Sequence, residues 1–287
     1  GTSAIFSTIV NLAKQGDEIV SANNLYGGTF TLFNDILPQF GITTRFVKPQ
    51  DFDKMEAAVN GRTRALYVEA IGKAKKLITD RPVLAGVIGP YSLAGRLMDM
   101  TEIMVNCYEE PEMVHTTLEK TTEFLLNYVK EYKRIGADGV VIAEPAAGLL
   151  SPDLCGEFSA PYVKRIVDAV QDDEFVVVYH NCGGAVNRMV PEILGTGAAA
   201  YHFGNAVDMK EMLEKMPADV LTMGNVDPVS VLRNGTPETV RSETLRIMEA
   251  CCGHKNFLIS SGCDIPPLTP WENIDAFFAA VKEFYQR

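Results

Sequence analysis

The sequence predicts an α/β fold built on a mostly parallel sheet. Apolar, β-branched runs alternate with amphipathic stretches of helical period, the alternation becomes regular from Pro82 onward, and six successive runs each end in a polar or glycine-rich turn. A chain of 287 residues with 47% hydrophobic and 22% charged side chains can bury a large core, which excludes disorder.

Strands are expected at 18–22, 43–48, 65–69, 82–88, 139–144, 175–180, 198–203, 220–224 and 256–260. Helices are expected at 100–135, where Pro111 marks the first turn of a second helix, and at 161–170, 185–194, 209–216, 237–251 and 270–285. No repeat or glycine-serine linker interrupts the chain. The nearest thing to a boundary is the Lys-rich stretch 71–80, with Lys73, Lys75 and Lys76. Charge shifts there too: residues 1–72 hold 6 basic and 7 acidic groups, and 73–287 hold 20 and 30.

The net charge of −11 argues against nucleic acid or an anionic membrane surface as a partner. No apolar run reaches the ~18–20 residues that span a bilayer, and no basic-then-apolar leader opens the chain, which does not start with Met. Six cysteines without framework spacing suggest reduced thiols in a cytoplasmic protein.

Parallel strands place their carboxyl ends on one rim, and in barrels that rim carries the active site. The six ends read Gly89-Pro90-Tyr91-Ser92, Glu144-Pro145-Ala146-Ala147-Gly148, His180-Asn181-Cys182-Gly183-Gly184, His202-Phe203-Gly204-Asn205, Gly224-Asn225-Val226-Asp227-Pro228 and Ser260-Ser261-Gly262-Cys263-Asp264. His180 and Cys182 stand at i and i+2 and so face one side of an extended backbone. Cys263 leaves another strand end 81 residues after Cys182. One imidazole and two thiolates make three tetrahedral zinc ligands, and three protein ligands with an open position is the catalytic arrangement. The same residues are also compatible with ordinary strand ends. Gly183, Gly184 and Gly262 favour the site reading because they permit close backbone approach.

Glu144 is a candidate acid/base, a hydrogen-bonding group for substrate, or a turn cap. His202 is a candidate catalytic group, fourth metal ligand, partner of a ligand, or satisfied buried histidine. Tyr91, Asn225, Asp227 and Asp264 are candidate substrate contacts at the same rim, although Asp227 before Pro228 also suits a helix N-cap, and Asp264 can orient a loop. Cys107, Cys155, Cys251 and Cys252 read as packed thiols.

From about Lys73 to the end the chain resembles the uroporphyrinogen decarboxylase superfamily, and within it the methylcobamide:coenzyme M methyltransferase branch. The matching runs are Gly89-Pro90-Tyr91-Ser92-Leu93-Ala94, Ala143-Glu144-Pro145, His180-Asn181-Cys182-Gly183, Gly224-Asn225-Val226-Asp227-Pro228 and Ser261-Gly262-Cys263-Asp264-Ile265-Pro266. The resemblance implies a TIM (β/α)8-like barrel in which His180, Cys182 and Cys263 bind Zn2+, which activates a small thiol to receive a methyl group from a methylated corrinoid protein. Some zinc methyltransferases of this family carry an acidic fourth ligand on the next strand. Here that stretch is His202-Phe203-Gly204-Asn205, with no carboxylate before Asp208. Water, Asn205 or His202 would then complete the metal. The runner-up is a uroporphyrinogen decarboxylase-type enzyme using Glu144 without a metal, but the early Arg-Gln-Ala-Gly-Arg segment of true decarboxylases is missing. A third reading is a non-catalytic chimeric barrel that binds a corrinoid protein or tetrapyrrole.

Residues 1–72 are similar to a fragment of the cystathionine/O-acetylhomoserine sulfhydrylase family of pyridoxal-phosphate (PLP) enzymes. The likeness rests on Gly1-Thr2-Ser3-Ala4, Gly16-Asp17-Glu18-Ile19-Val20, Leu25-Tyr26-Gly27-Gly28-Thr29 and Thr63-Arg64-Ala65-Leu66-Tyr67-Val68-Glu69. In that family the first run cradles the cofactor phosphate and the tyrosine matching Tyr26 stacks on the pyridine ring. The Schiff-base lysine lies beyond the matching stretch, so no functional PLP is expected. The two-part division is therefore 1–72, a fragment too short to bury its own core, and 73–287, the barrel whose missing first strands the fragment supplies or replaces.

Overall fold

Valine and isoleucine supply 6 of the 11 residues at 139–143 and 176–181, and their β-branched side chains suit a sheet covered on both faces. In the computed structural model, which describes residues 9–10, 13–22, 27–48 and 66–286, six strands form one parallel sheet. They are β3 (Leu84–Ile88), β4 (Gly139–Ala143), β5 (Val176–Asn181), β6 (Ala200–Phe203), β7 (Leu221–Val226) and β8 (Phe257–Ser261), in consecutive spatial order. Every junction needs a crossover, and helices supply it. These are α3 (Pro90–Met98), α4 (Met100–Glu109), α5 (Pro111–Arg134), α6 (Pro152–Phe158), α7 (Ala160–Val170), α8 (Val190–Leu194), α9 (Met209–Lys215), α10 (Pro237–Cys251) and, after β8, α11 (Trp271–Phe284). This is the α/β, barrel-like arrangement of parallel strands that the sequence predicts.

Helix starts follow capping chemistry. Asp99, Ser151, Asp208 and Thr236 accept from backbone N–H groups two or three residues on, and Pro152 and Pro237 fill first-turn positions. Pro111 opens α5, as its position in the sequence predicts.

The described residues divide into two compact units, 1–83 with 134–137, and 84–133 with 138–287. In the first, β1 (Glu18–Ala22) and β2 (Thr43–Val47) pair in parallel as a two-stranded sheet. Between them lie α1 (Gly27–Thr31) and two short turns of π and 3₁₀ helix. Ile9, Ala13, Leu37 and Ile42 form a small core. Tyr26 and the Gly1-Thr2 run lie outside the described residues.

Two expected elements differ. Positions 66–69 belong to helix α2 (Leu66–Leu77), not to a strand at 65–69. A short apolar run fits either period, and here it continues through Ala70, Ile71 and Ala74 with helical spacing. The single helix expected at 185–194 is a 3₁₀ turn, Val186–Arg188, followed by α8. Pro191 has no N–H and is accommodated only in the first turn of the new helix.

Glu144, just past β4, ties the sheet to α3. Its Oε1 accepts from Tyr91 N–H at 2.9 Å, and its Oε2 accepts from Ser92 N–H at 3.0 Å and Ser92 Oγ–H at 2.6 Å. Ser92 Oγ in turn accepts from Ala146 N–H at 3.1 Å. Burial outweighs the lowering effect of the Ser92 and Tyr91 hydrogen bonds and leaves the Glu144 carboxyl raised to about 7. Glu144→Gln sets an amide N–H against one of these donors whichever way it turns. Urea unfolding at pH 8 should show a loss of about 2 kcal/mol or more; a loss below about 0.5 kcal/mol would contradict the capping role.

Candidate metal centre

The parallel register places His180 of β5 directly beside His202 of β6, with Asn225 of β7 beside Ser260 of β8. Side chains of such pairs share a face. The His180 and His202 rings therefore lie against each other, with centroids 4.6 Å apart. Two residues past His180 the backbone presents Cys182, and two residues past the end of β8 it presents Cys263. The ligand atoms of His180, Cys182 and Cys263 all lie within 4.8 Å of one another. His180 Nε2 is 3.5 Å from Cys263 Sγ. A tetrahedral zinc with ordinary Zn–N and Zn–S lengths sets that edge at ~3.5 Å, so the donor pair fits the ion as it stands. His180 is buried and the two cysteines are half-buried free thiols.

The turn carrying Cys182 is fixed from several sides. Asn181, fully buried, accepts from Gly183 N–H at 2.9 Å and donates to Tyr179 Oη at 3.2 Å. Gly204 packs so closely that a Cβ on it would stand 2.6 Å from Cys182 Cα, and a Cβ on Gly183 would stand 2.6 Å from Gly148 Cα. Asn225 holds the Gly204 loop in place by donating to the carbonyls of Gly204 at 3.0 Å and Val207 at 2.7 Å.

The two histidines are electrically neutral at neutral pH. Burial lowers His180, and burial followed by the neighbouring His180 lowers His202 to about 4. A neutral imidazole is the form that binds a metal. Burial raises the Cys182 thiol.

The remaining candidates fall into place as follows. His202 stands outside the group of three: its Nδ1 faces His180 Nδ1 at 2.7 Å and its Nε2 faces the Ser261 carbonyl at 2.7 Å, so both ring nitrogens are engaged. Tyr91 is not a substrate contact; it is fully buried with its hydroxyl 3.8 Å from Cys107 Sγ, because the second position of α3 points into the core. Glu144 is fully buried with both oxygens engaged, so it caps α3 and does not reach a substrate. Asn225 is buried and spends its amide N–H groups on the loop that carries Gly204. Asp227 accepts from Val229 and Ser230 N–H groups and from Asn205 Nδ2, the N-cap role. Asp264 is exposed beside Cys263, and its charge acts on both histidines. Sequence reasoning missed Asn181 and the Ser261 carbonyl. The side chain of Asn181, accepting from the amide two residues on, is an Asx turn that the His-Asn-Cys-Gly string signals. A backbone carbonyl leaves no trace in residue type.

Comparison with known proteins places the chain in a family. The sequence profile described as Uroporphyrinogen decarboxylase (URO-D) matches residues 27–284. The chain belongs to the uroporphyrinogen decarboxylase family. Its relatives include the methylcobamide:CoM methyltransferase MtbA of Methanosarcina acetivorans, 28% identical over 87% of this chain and 73% of that protein. A uroporphyrinogen decarboxylase of Synechococcus is 30% identical over 76% of this chain and 63% of that protein. The solved structure of a methyltransferase from Methanosarcina mazei superposes with a TM-score of 0.69 at 27% identity, covering 77% of this chain and 64% of that one. The chain thus spans 62% to 73% of the length of the curated relatives.

If Gly204 backs Cys182 as described, Gly204→Ala should weaken Zn2+ binding about tenfold or more in a chelator competition, with the circular dichroism spectrum unchanged. Gly184→Ala is the control: its Cβ would meet only Ala206 Cβ at 3.9 Å, and affinity should stay at the wild-type value.

Proposed function

We propose that this member of the uroporphyrinogen decarboxylase family is a zinc-dependent methyltransferase that moves a methyl group from a corrinoid protein to a small thiol. The observation that carries the reading is the convergence of His180, Cys182 and Cys263 within 4.8 Å at the carboxyl ends of β5 and β8. The likeness to the methylcobamide:CoM methyltransferase of Methanosarcina acetivorans supports the reaction class. In this reading residues 73–287 form the catalytic barrel and residues 1–72 are the PLP-enzyme-like fragment, working in the cytoplasm where thiols stay reduced.

Zinc held by these three side chains would supply a Lewis-acid centre that keeps an incoming thiol in its thiolate form at neutral pH. The chain's own groups prepare that position. His180 presents a neutral nitrogen, and Cys182 and Cys263 present sulfur. No further His, Cys, Asp or Glu joins the group among the described residues, which leaves a coordination position for a substrate. Three loops at the same rim carry exposed apolar side chains, Leu149 after β4, Val229 after β7, and Ile265 and Leu268 after β8. Apolar surface beside a metal suits a macromolecular methyl donor. Metal-free decarboxylation through Glu144 has less support, because that carboxyl is enclosed and already bonded.

Metal analysis of the purified, reduced protein should find about one zinc per chain, lost in Cys182→Ser and Cys263→Ser. Folded, reduced protein without zinc overturns the proposal. Methylcobalamin with a small thiol should give thiol methylation that a chelator abolishes. Because burial keeps the Cys182 thiol protonated at neutral pH, binding must release protons. Zinc affinity should therefore rise with pH from 6.5 to 8, by a factor of about 10 to 100 per unit for one to two protons released. Titration in two buffers of different ionisation enthalpy counts those protons.

A further inference from the structure

We propose that His202 is a positioning residue that locks the tautomer of His180 through a hydrogen-bond chain anchored on the backbone carbonyl of Ser261. The chain can be followed atom by atom. A carbonyl only accepts, and His202 Nε2 lies 2.7 Å from the Ser261 carbonyl, so Nε2 carries the His202 proton. A neutral imidazole has one N–H, so His202 Nδ1 is an acceptor. It lies 2.7 Å from His180 Nδ1, which must donate. The His202 carbonyl, 3.1 Å from the same His180 nitrogen, asks for the same proton. Two acceptors therefore converge on His180 Nδ1 and leave the lone pair on Nε2, the nitrogen facing Cys263 Sγ.

Ser260 stabilises the anchor. Its hydroxyl donates to the Ser261 carbonyl at 3.0 Å, and its oxygen lies 2.8 Å from His202 Nε2. The Ser261 carbonyl stands two residues before Cys263, so one imidazole links the strand end that delivers His180 to the strand end that delivers the second thiol. A histidine that was merely satisfied in the core could take any donor for its second nitrogen. The second contact, to the far side of a metal-binding imidazole, gives His202 a bearing on the site.

The inference rests on His180 being a metal ligand, and its tests separate the two ideas. In metal-free protein labelled with 15N-histidine, NMR at neutral pH should show His180 as the Nδ1–H tautomer, the minor form of free imidazole, and His202 as the Nε2–H form. His180 as Nε2–H overturns the proposal without any variant. His202→Phe keeps a ring and removes both nitrogens. Its Zn2+ affinity should fall about 10- to 100-fold in chelator competition, with the Nδ1–H tautomer of His180 less populated because only the carbonyl of residue 202 still accepts from it. His202→Gln offers a carbonyl to His180 and an amide N–H to Ser261, and should recover most of the affinity. Equal affinity of the Phe variant and wild type, or equal impairment of Phe and Gln, overturns the proposal. Wild-type protein that shows both tautomers and yet binds no Zn2+ overturns the metal reading and leaves the tautomer lock standing.

Discussion

Two strands lie between β5 and β8, so in a flat sheet the ends that deliver His180 and Cys263 would stand about 14 Å apart. The two ligand atoms are 3.5 Å apart. Side-chain length does not close that gap unaided, because an imidazole and a thiomethyl group each reach only a few ångströms from the backbone. The sheet has to curl toward closure, as barrel strands do. Curvature is therefore the condition for the site: a flatter sheet of the same sequence, with every strand and register intact, would hold the same residues as three unrelated side chains on a rim.

Curvature alone brings the strand ends near, and hydrogen-bonding side chains, two of them buried, fix them. Asn181 closes the turn before Cys182, Asn225 pins the loop carrying Gly204, and Asp227 starts the segment after β7 while receiving Asn205. Each offers hydrogen-bonding groups to backbone atoms that would otherwise be unsatisfied on burial, so each holds its loop in one arrangement. Gly204 and Gly183 then allow the backbones to touch where any Cβ would separate them. The rim is polar chiefly because it must be held in shape.

This explains which parts of the molecule were legible in the sequence. Strands β4 and β5 announce themselves as β-branched runs because both faces of a parallel sheet are covered, the others as short apolar runs, and their parallel order follows from the helices between them. His180, Cys182 and Cys263 could be grouped in the sequence because few chemistries use that trio, and the structure brings their ligand atoms within 4.8 Å of one another. Leu66–Leu77 was not, since its opening residues fit a strand or a helix equally and only the continuation decides. Tyr91 and Asn225 stand at the rim with buried side chains bonded within the protein, whereas Asp227 proved to be the N-cap and Glu144 the cap that were among their open alternatives. Residue type and strand end fix where a side chain starts, whereas the neighbouring loop decides where it points. Glu144 shows the consequence: a carboxyl at the mouth of a barrel reads as an acid/base until the start of α3 is found sitting on it.

The same geometry links the shape of the sheet to the protonation of its ligand. His202 sits on β6 and reaches the Ser261 carbonyl of β8 across β7, a span of two strand spacings or about 10 Å in a flat sheet. Only a curled sheet lets one ring, 2.7 Å from each partner, touch β8 and His180 together. If the curl relaxed, the Ser261 bond would be the first to break, because it crosses the wider gap. His202 would then be free to carry its proton on either nitrogen, and the stronger of the two constraints on His180 would disappear while its weaker carbonyl contact remained. The availability of the Nε2 lone pair thus depends on the closure that brings Cys263 toward it. Ligand separation and the stronger constraint on the His180 tautomer thus follow one variable, the curvature between β5 and β8, while the His202 carbonyl holds a residual preference that the curl does not govern.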